Sequence, residues 1–257
     1  MIGLGLGATG TSVFETGSNF TDTRAMSFDG ATDQVATATA GGITLFAGSG
    51  VSISLWAKDD AFHNEVKLFV NQYEDANNYW RVGFISGFPS IDYRVGSSTS
   101  RYKYWTSQNS ATLSAYNHYC WVIDDSSSTN LANSAFYING TAIGTFLTST
   151  AATVTDNDGV LRLGMSTSGA YTHVDEVNEV AFFKNKLLSA AEVTAIYNSG
   201  TPFDLRDNNG DYVSSSSLEV YIRGEEQLGA GFIELVDDST GNHDLGFIGA
   251  PTIDSTL

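Results

Sequence analysis

The chain has one cysteine, Cys120, in 257 residues, so no disulfide can form within it. Cys120 lies in the alternating run HYCWVI, where it reads as a small buried hydrophobe. Proline is nearly as scarce, at 3 residues against 26 glycines, so turns must rest on Gly, Asn, Asp and Ser. Basic side chains number 12 against 29 acidic ones, a net charge of -17. Binding to a nucleic-acid duplex needs clustered Lys and Arg to neutralise phosphates, and that surface is excluded. Long hydrophobic runs are also missing. No stretch approaches the length of a membrane-spanning helix, so membrane insertion is not expected. The opening MIGLGLGATG has neither a basic n-region nor a continuous apolar segment, so no secretory signal is expected. An external location would then be reached by assembly or lysis.

Catalytic signatures are equally sparse. The four histidines, His63, His118, His173 and His243, stand isolated, without HExxH spacing or a Ser-His-Asp pattern. Gly3, Gly5, Gly7 and Gly10 mimic a phosphate loop in composition only, since no lysine or helix follows.

What the chain does contain is a succession of short alternating runs. Residues 177–200, VNEVAFFKNKLLSAAEVTAIYNSG, are the most informative. Val180 and Phe182 would face one side of a strand, with Glu179, Ala181 and Phe183 on the other. Ser189 followed by Glu192 forms a capping box, and Val193, Ile196 and Tyr197 share one face of a short helix near 190–198. Gly200 is expected as its left-handed cap. Such a helix is too short to stand alone in water and must be clamped onto a larger body.

Further strands follow from the same alternation. Val51, Ile53, Leu55 and Ala57 point one way and Ser52, Ser54 and Trp56 the other. Residues 66–70 and 79–85 pair across a short acidic connection, and 91–95 and 101–105 flank a Gly-Ser-Ser-Thr-Ser turn. Residues 118–123 are thick on both faces and should be central. Asn139-Gly140 between FYI and IGTF is a strong hairpin signal. Leu218, Val220 and Ile222 read as one in-phase face, and 232–236 as a further strand. The predicted fold is an all-β, two-sheet antiparallel β-sandwich of jelly-roll type with one short capped helix. Residues 1–23, with Gly alternating with Ile and Leu, form a candidate extended arm; residues 24–257 form one jelly-roll domain, because the last strands are too few to own a core. Saccharide binding would rest on aromatic stacking, and the candidates are Tyr73, Trp80, Tyr102, Tyr104 and Trp105. Exposure of those rings would mark a glycan or partner surface; burial would place them in the core.

The phrases AMSFDG (25–30), SISLW (52–56), FYING (136–140) and NEVAFF with LSAAEV and YNSG (178–200) resemble the laminin G-like and concanavalin A-like lectin/glucanase jelly-roll superfamily, especially its bacterial and phage branch. The resemblance implies this sandwich fold and a range of roles: carbohydrate binding, protein binding, tail-fibre and capsid modules, and in a distant branch glucan hydrolysis. Glucanases of the related fold use Glu-x-Asp-x-Glu on one strand. Here the closest match, 175–179, has Val177 at its centre, and Asp175 and Glu179 would lie roughly 13 Å apart in a regular strand. An enzyme is therefore not expected. The resemblance also implies a structural calcium ion with hard oxygen ligands, for which the matching residues are Asp29, Asp33, Asp175 and Asn178. Residues 218–244 resemble pieces that usually precede the first strand.

These features together lead to the expectation of a non-enzymatic virion surface protein, a capsid decoration or tail-fibre component, on the outside of a particle. Its partners would be copies of itself or other virion proteins. The alternative is a carbohydrate-binding module for cell-surface glycans, with or without calcium.

Overall fold

The computed structural model describes residues 25–28, 34–37, 43–58, 66–96, 101–107, 115–127, 133–148, 154–155, 157–164, 176–223, 235–236, 245–248 and 252–254. In chain order the strands are β1 (Ala25–Ser27), β2 (Gln34–Thr37), β3 (Val51–Lys58), β4 (Val66–Asp75), β5 (Asn78–Ile85), β6 (Phe88–Arg94), β7 (Arg101–Trp105), β8 (Tyr116–Ile123), β9 (Ala135–Ile138), β10 (Thr141–Ala142), β11 (Phe146–Thr148), β12 (Val160–Leu163), β13 (Glu176–Lys184), β14 (Leu218–Ile222), β15 (Leu235–Val236), β16 (Leu245–Ile248) and β17 (Thr252–Asp254). One α-helix, α1 (Ala190–Tyr197), follows β13. No helix among the described residues is long and apolar enough to cross a membrane.

The strands form two antiparallel sheets. The nine-stranded sheet runs β10-β9-β8-β3-β13-β1-β17, with β14 pairing β13 and carrying β15; the eight-stranded sheet runs β11-β7-β6-β5-β4-β12-β2-β16. The last strands close back on the first: β16 pairs with β2 and β17 with β1. This is the two-sheet all-β sandwich with one short helix that the alternation predicts.

Parity along the central strands explains the layers. Val51, Ile53, Leu55 and Ala57 of β3, Tyr119, Trp121 and Ile123 of β8, and Val180 and Phe182 of β13 belong to the inter-sheet core. They meet Phe69, Val70, Trp80, Val82, Phe84, Ile91 and Tyr93 from the eight-stranded sheet. The alternate residues, Cys120, Val122, Ala181 and Phe183, join a second apolar cluster with Leu188, Val193, Ile196, Leu205, Tyr212, Leu218 and Tyr221. The nine-stranded sheet is thus buried on both faces, and α1 with the segment after it forms a third layer.

β14 departs from the expected phase. Leu218 packs under the helix while Val220 and Ile222 enter the inter-sheet core. The cause is a bulge: Phe182 pairs with Val220 and Phe183 with Leu218, so Glu219 is skipped and parity reverses.

The helix is held at both ends. Ser189 accepts from Glu192 N and Glu192 accepts from Ser189 N, completing the capping box. Glu192 also accepts from Ser214 Oγ and pairs with Lys186 at 3.1 Å. Burial works against its charge, but the Ser214, Ser189 and Lys186 contacts prevail and hold its pKa below the usual carboxylate value. The left-handed cap is Asn198, at φ 44, and not Gly200, which ends the short 3-10 turn that follows. Asparagine tolerates this conformation, and here its Nδ2 donates to Thr201 O. Beneath the helix end, Tyr197 stacks on Trp56 at 5.9 Å and on His118 at 6.4 Å. The Asn139-Gly140 turn, both residues at positive φ, fits against Thr194, whose Oγ1 donates to Gly140 O. A Cβ at Gly140 would lie 3.3 Å from Thr194 Cα and from the Tyr197 ring, so glycine serves both backbone and packing here.

Two buried polar groups generate predictions. Asp125 accepts from Gly48 N at 2.9 Å and Gly50 N at 2.7 Å, fastening the entry to β3 onto the end of β8. Asp125→Ala leaves two backbone donors without that acceptor. Chemical denaturation should show a loss of about 2–4 kcal/mol; a loss below about 0.5 kcal/mol would mean the contact contributes nothing. His118 is fully buried, with Nε2 2.8 Å from Ser54 Oγ, and burial lowers its pKa to about 3 from 6.5. The native state therefore keeps it neutral while the unfolded chain takes up a proton, so its contribution is complete above pH 6.5 and is lost as pH falls toward 3. Unfolding free energy should drop by about 2 kcal/mol between pH 6.5 and 4.5 on this account. That slope should flatten in His118→Gln; an unchanged slope would show that another group carries it.

Candidate functional site

The back of the nine-stranded sheet is occupied by the helix layer, which leaves the outer face of the eight-stranded sheet as the broad surface to consider. On β4, β5, β6 and β12 the inward positions are Val70, Trp80, Val82, Ile91, Tyr93, Leu161 and Leu163. The register fixes what lies opposite. One row across the outer face runs Arg162 (β12), Asn71 (β4), Arg81 (β5) and Asp92 (β6). The neighbouring row, two residues along, runs Val160, Tyr73, Tyr79 and Arg94.

These side chains form one connected patch. Tyr73 and Tyr79 stack at 5.8 Å with ring planes 14° apart. Arg81 lies over the Tyr79 ring at 5.0 Å and Arg94 at 5.4 Å, so that ring serves both guanidinium groups. Arg81 Nε and Nη2 both meet the single oxygen Oδ2 of Asp92, a charge-assisted contact that ties the two side chains together. Asp92 is buried, and desolvation raises its pKa against the opposing pull of Arg81. Its Oδ1 makes no hydrogen bond. Arg94 Nη1 donates to Ala76 O, tying the patch to the β4–β5 turn. In that turn Asp75 accepts from Asn77 N, which leads the effects holding its pKa below the usual value. Tyr73 and Arg162 are half-buried, so both are accessible in part.

The floor of the patch is braced from beneath. Gln72 Oε1 accepts from Trp80 Nε1 at 2.7 Å, and its Nε2 donates to Ile43 O and Gly159 O. The turn before β12 is locked by Gly159 N donating to Asn157 Oδ1. Gly159 is pressed against β4: a Cβ there would lie 2.2–2.4 Å from the Tyr73 carbonyl and Glu74 N.

The sequence candidates separate on this frame. Trp80 and Trp105 are fully buried, Trp80 hydrogen-bonded to Gln72 and Trp105 packed on Phe136 at 5.7 Å. They are core residues and offer no ring to a ligand, because their strand parity points them between the sheets. Tyr73 is in the patch. Tyr102 and Tyr104 are in register with Asp92 and Ser90, next to the patch; their side chains lie outside the described residues. Arg81, Asp92, Arg94, Arg162 and Asn71 were missed by sequence reasoning, which looked for rings alone. Parity could have found them: with Trp80 and Val82 inward, Arg81 must face outward.

Of the calcium candidates, Asp29, Asp33 and Asp175 lie outside the described residues, as does the arm 1–23. Asn178 is fully buried on β13 and pairs in register with Trp56. Among the described residues no cluster of three or more His, Cys, Asp or Glu exists. The neighbouring acids are committed elsewhere. Glu176 pairs with Lys58 at 2.7 Å and accepts from Tyr116 OH, and buried Glu179, at φ 49 on a β13 bulge, accepts from Arg223 Nε at 3.0 Å.

Comparison with known proteins matches this geometry at the level of fold. A laminin G-type family model, the concanavalin A-like lectin/glucanases superfamily, matches residues 29–194. The chain belongs to that superfamily. No curated protein matches it by sequence. Among solved structures, a candidate carbohydrate binding protein from Bacteroides ovatus superposes with a TM-score of 0.59 at 13% identity, covering 91% of this chain and 60% of that one. This chain therefore spans 60% of that protein's length. A native heptameric SAP-like pentraxin from Limulus polyphemus superposes with a TM-score of 0.51 at 14% identity, covering 90% and 97%. The protein is a lectin-like sandwich.

Gly159→Ala drives a methyl group into the β4 main chain, which cannot yield as a side-chain tip could. Denaturant unfolding should show a loss of about 1–3 kcal/mol or more. Wild-type stability in this variant would contradict the close approach.

Proposed function

We propose that this chain is a carbohydrate-binding module without enzymatic activity, taking a saccharide on the outer face of its eight-stranded sheet. The observation that carries it is the Tyr73–Tyr79 stack set beside the Arg81–Asp92 pair and Arg162. A sugar ring presents an apolar face of C–H groups edged by hydroxyls. Recognition needs a flat ring for the former and rigid, planar donors and acceptors for the latter. Tyr73 offers a partly exposed ring. Arg81 and Asp92 offer donors and acceptors tied to each other before any ligand arrives, which reduces the cost of binding. The fold likeness to the Bacteroides ovatus protein and the pentraxin is in keeping with this proposal.

The expectation of a virion surface or decoration protein of a bacterial and phage branch draws no comparable support. It calls for an apolar docking surface, and among the described residues the only exposed large hydrophobics are Leu187 and Val213, at 39% and 61%. Self-association through residues 1–23 lies outside the described residues.

A glycan array followed by calorimetry tests the proposal. A bound saccharide should lose roughly tenfold in affinity in Tyr73→Ala, the equivalent of one lost stacking contact, in a variant that remains folded. Failure to bind any saccharide, or binding indifferent to both Tyr73→Ala and Arg81→Gln, would overturn it.

A further inference from the structure

Among the described side chains Arg162 differs from six of the other cations; Arg94, the seventh, donates to Ala76 O and lies over the Tyr79 ring. Among the described side chains, Lys58, Lys184, Lys186, Arg81, Arg206 and Arg223 each meet a carboxylate. With 29 acidic residues against 12 basic ones, partners are plentiful. Yet Arg162, half-buried on β12, has a single contact, Nη1 to Val160 O at 3.3 Å, a carbonyl two residues back on its own strand. A guanidinium carries five N–H donors, and among the described residues this one carbonyl is the acceptor Arg162 meets. Burial lowers its pKa, and no neighbouring carboxylate offsets that effect; the guanidinium nevertheless stays charged at any physiological pH.

Its position gives that charge a use. Arg162 and Arg81 flank Asn71 in one row, two strand spacings or about 10 Å apart, and Tyr73 lies about 7 Å along β4 from that row. The area is roughly the footprint of a disaccharide. Arg81 is already neutralised by Asp92, whereas Arg162 is not. A ligand stacked on Tyr73 would bring its ring substituents to Arg162. A neutral hydroxyl there would leave a half-buried cation uncompensated, and a carboxylate would meet it in a planar two-point contact. The net charge of -17 limits the ligand further. The field of the whole molecule repels a polyanion at long range, but a single carboxylate at contact distance feels the guanidinium first.

Resting on the saccharide site proposed above, we infer that its ligand is a singly charged acidic sugar, of uronic- or sialic-acid type, whose carboxylate is taken by Arg162. Arg162 is then the residue that selects acid over neutral sugar, and Tyr73 supplies the platform common to both.

The test uses the full chain and an array of neutral glycans with their uronic-acid, sialic-acid and sulfated counterparts, followed by calorimetry on the best matched pair, with hexaglutamate as an acidic peptide. The acidic member should bind tenfold or more tightly than its neutral counterpart. Arg162→Gln should erase that difference, Arg162→Lys should retain part of it, and Tyr73→Ala should weaken both members. If neutral members bind as tightly and Arg162→Gln changes nothing, the carboxylate assignment falls while the saccharide site stands. Binding confined to sulfated glycans, or hexaglutamate binding as tightly as the acidic sugar, likewise overturns it. If no glycan of either kind binds, the saccharide site falls with it.

Discussion

The nine-stranded sheet is apolar on both faces, and the rest of the molecule follows from having to cover both. Strands β3, β8 and β13 present Ile53, Trp121 and Phe182 to one side and Cys120, Ala181 and Phe183 to the other. Water contact on either side would leave that apolar surface exposed, at roughly 25 cal/mol for each square ångström. The eight-stranded sheet covers one side. The other is covered by a helix too short to be stable alone, which explains why its capping box, its Glu192 contacts and its seat on the Gly140 turn all converge on one small element. With both faces of that sheet covered, the proposed ligand site lies on the outer face of its partner sheet.

That outer face is built differently. Its central rows carry Arg162, Asn71, Arg81, Asp92, Tyr73, Tyr79 and Arg94, and no apolar layer is laid over them among the described residues. Asp92 is buried with a raised pKa, an arrangement that costs stability unless a partner offsets it, and Arg81 is that partner. A pair of this kind contributes little net to folding. On the proposed function its value lies in holding two polar groups in place for a ligand.

The fold was legible where parity was undisturbed. Val51 to Ala57, the two thick faces of 118–123 and the Ser189–Glu192 box all follow from local pattern, because alternation and capping are short-range properties. What escaped depended on bulges and on tertiary choice. The skipped Glu219 reversed the faces of β14, and Asn198 took the left-handed cap expected of Gly200. The site was less legible. Trp80 and Trp105 looked like sugar platforms because aromatic residues suit both a core and a binding face, and only the register of β4, β5 and β6 tells which. The arginines that join Tyr73 come from three different strands, and no local pattern announces that they share one surface.

Saccharide binding as proposed takes place on the outer face of the eight-stranded sheet. The most direct measurement is the change in backbone amide NMR shifts of the full chain on titration with a saccharide it binds. Shifts concentrated at residues 71–73, 79–81, 92–94 and 160–162 are the expected result. Shifts confined to the helix layer around residues 139–140 and 190–197, with the sheet face silent, would contradict it.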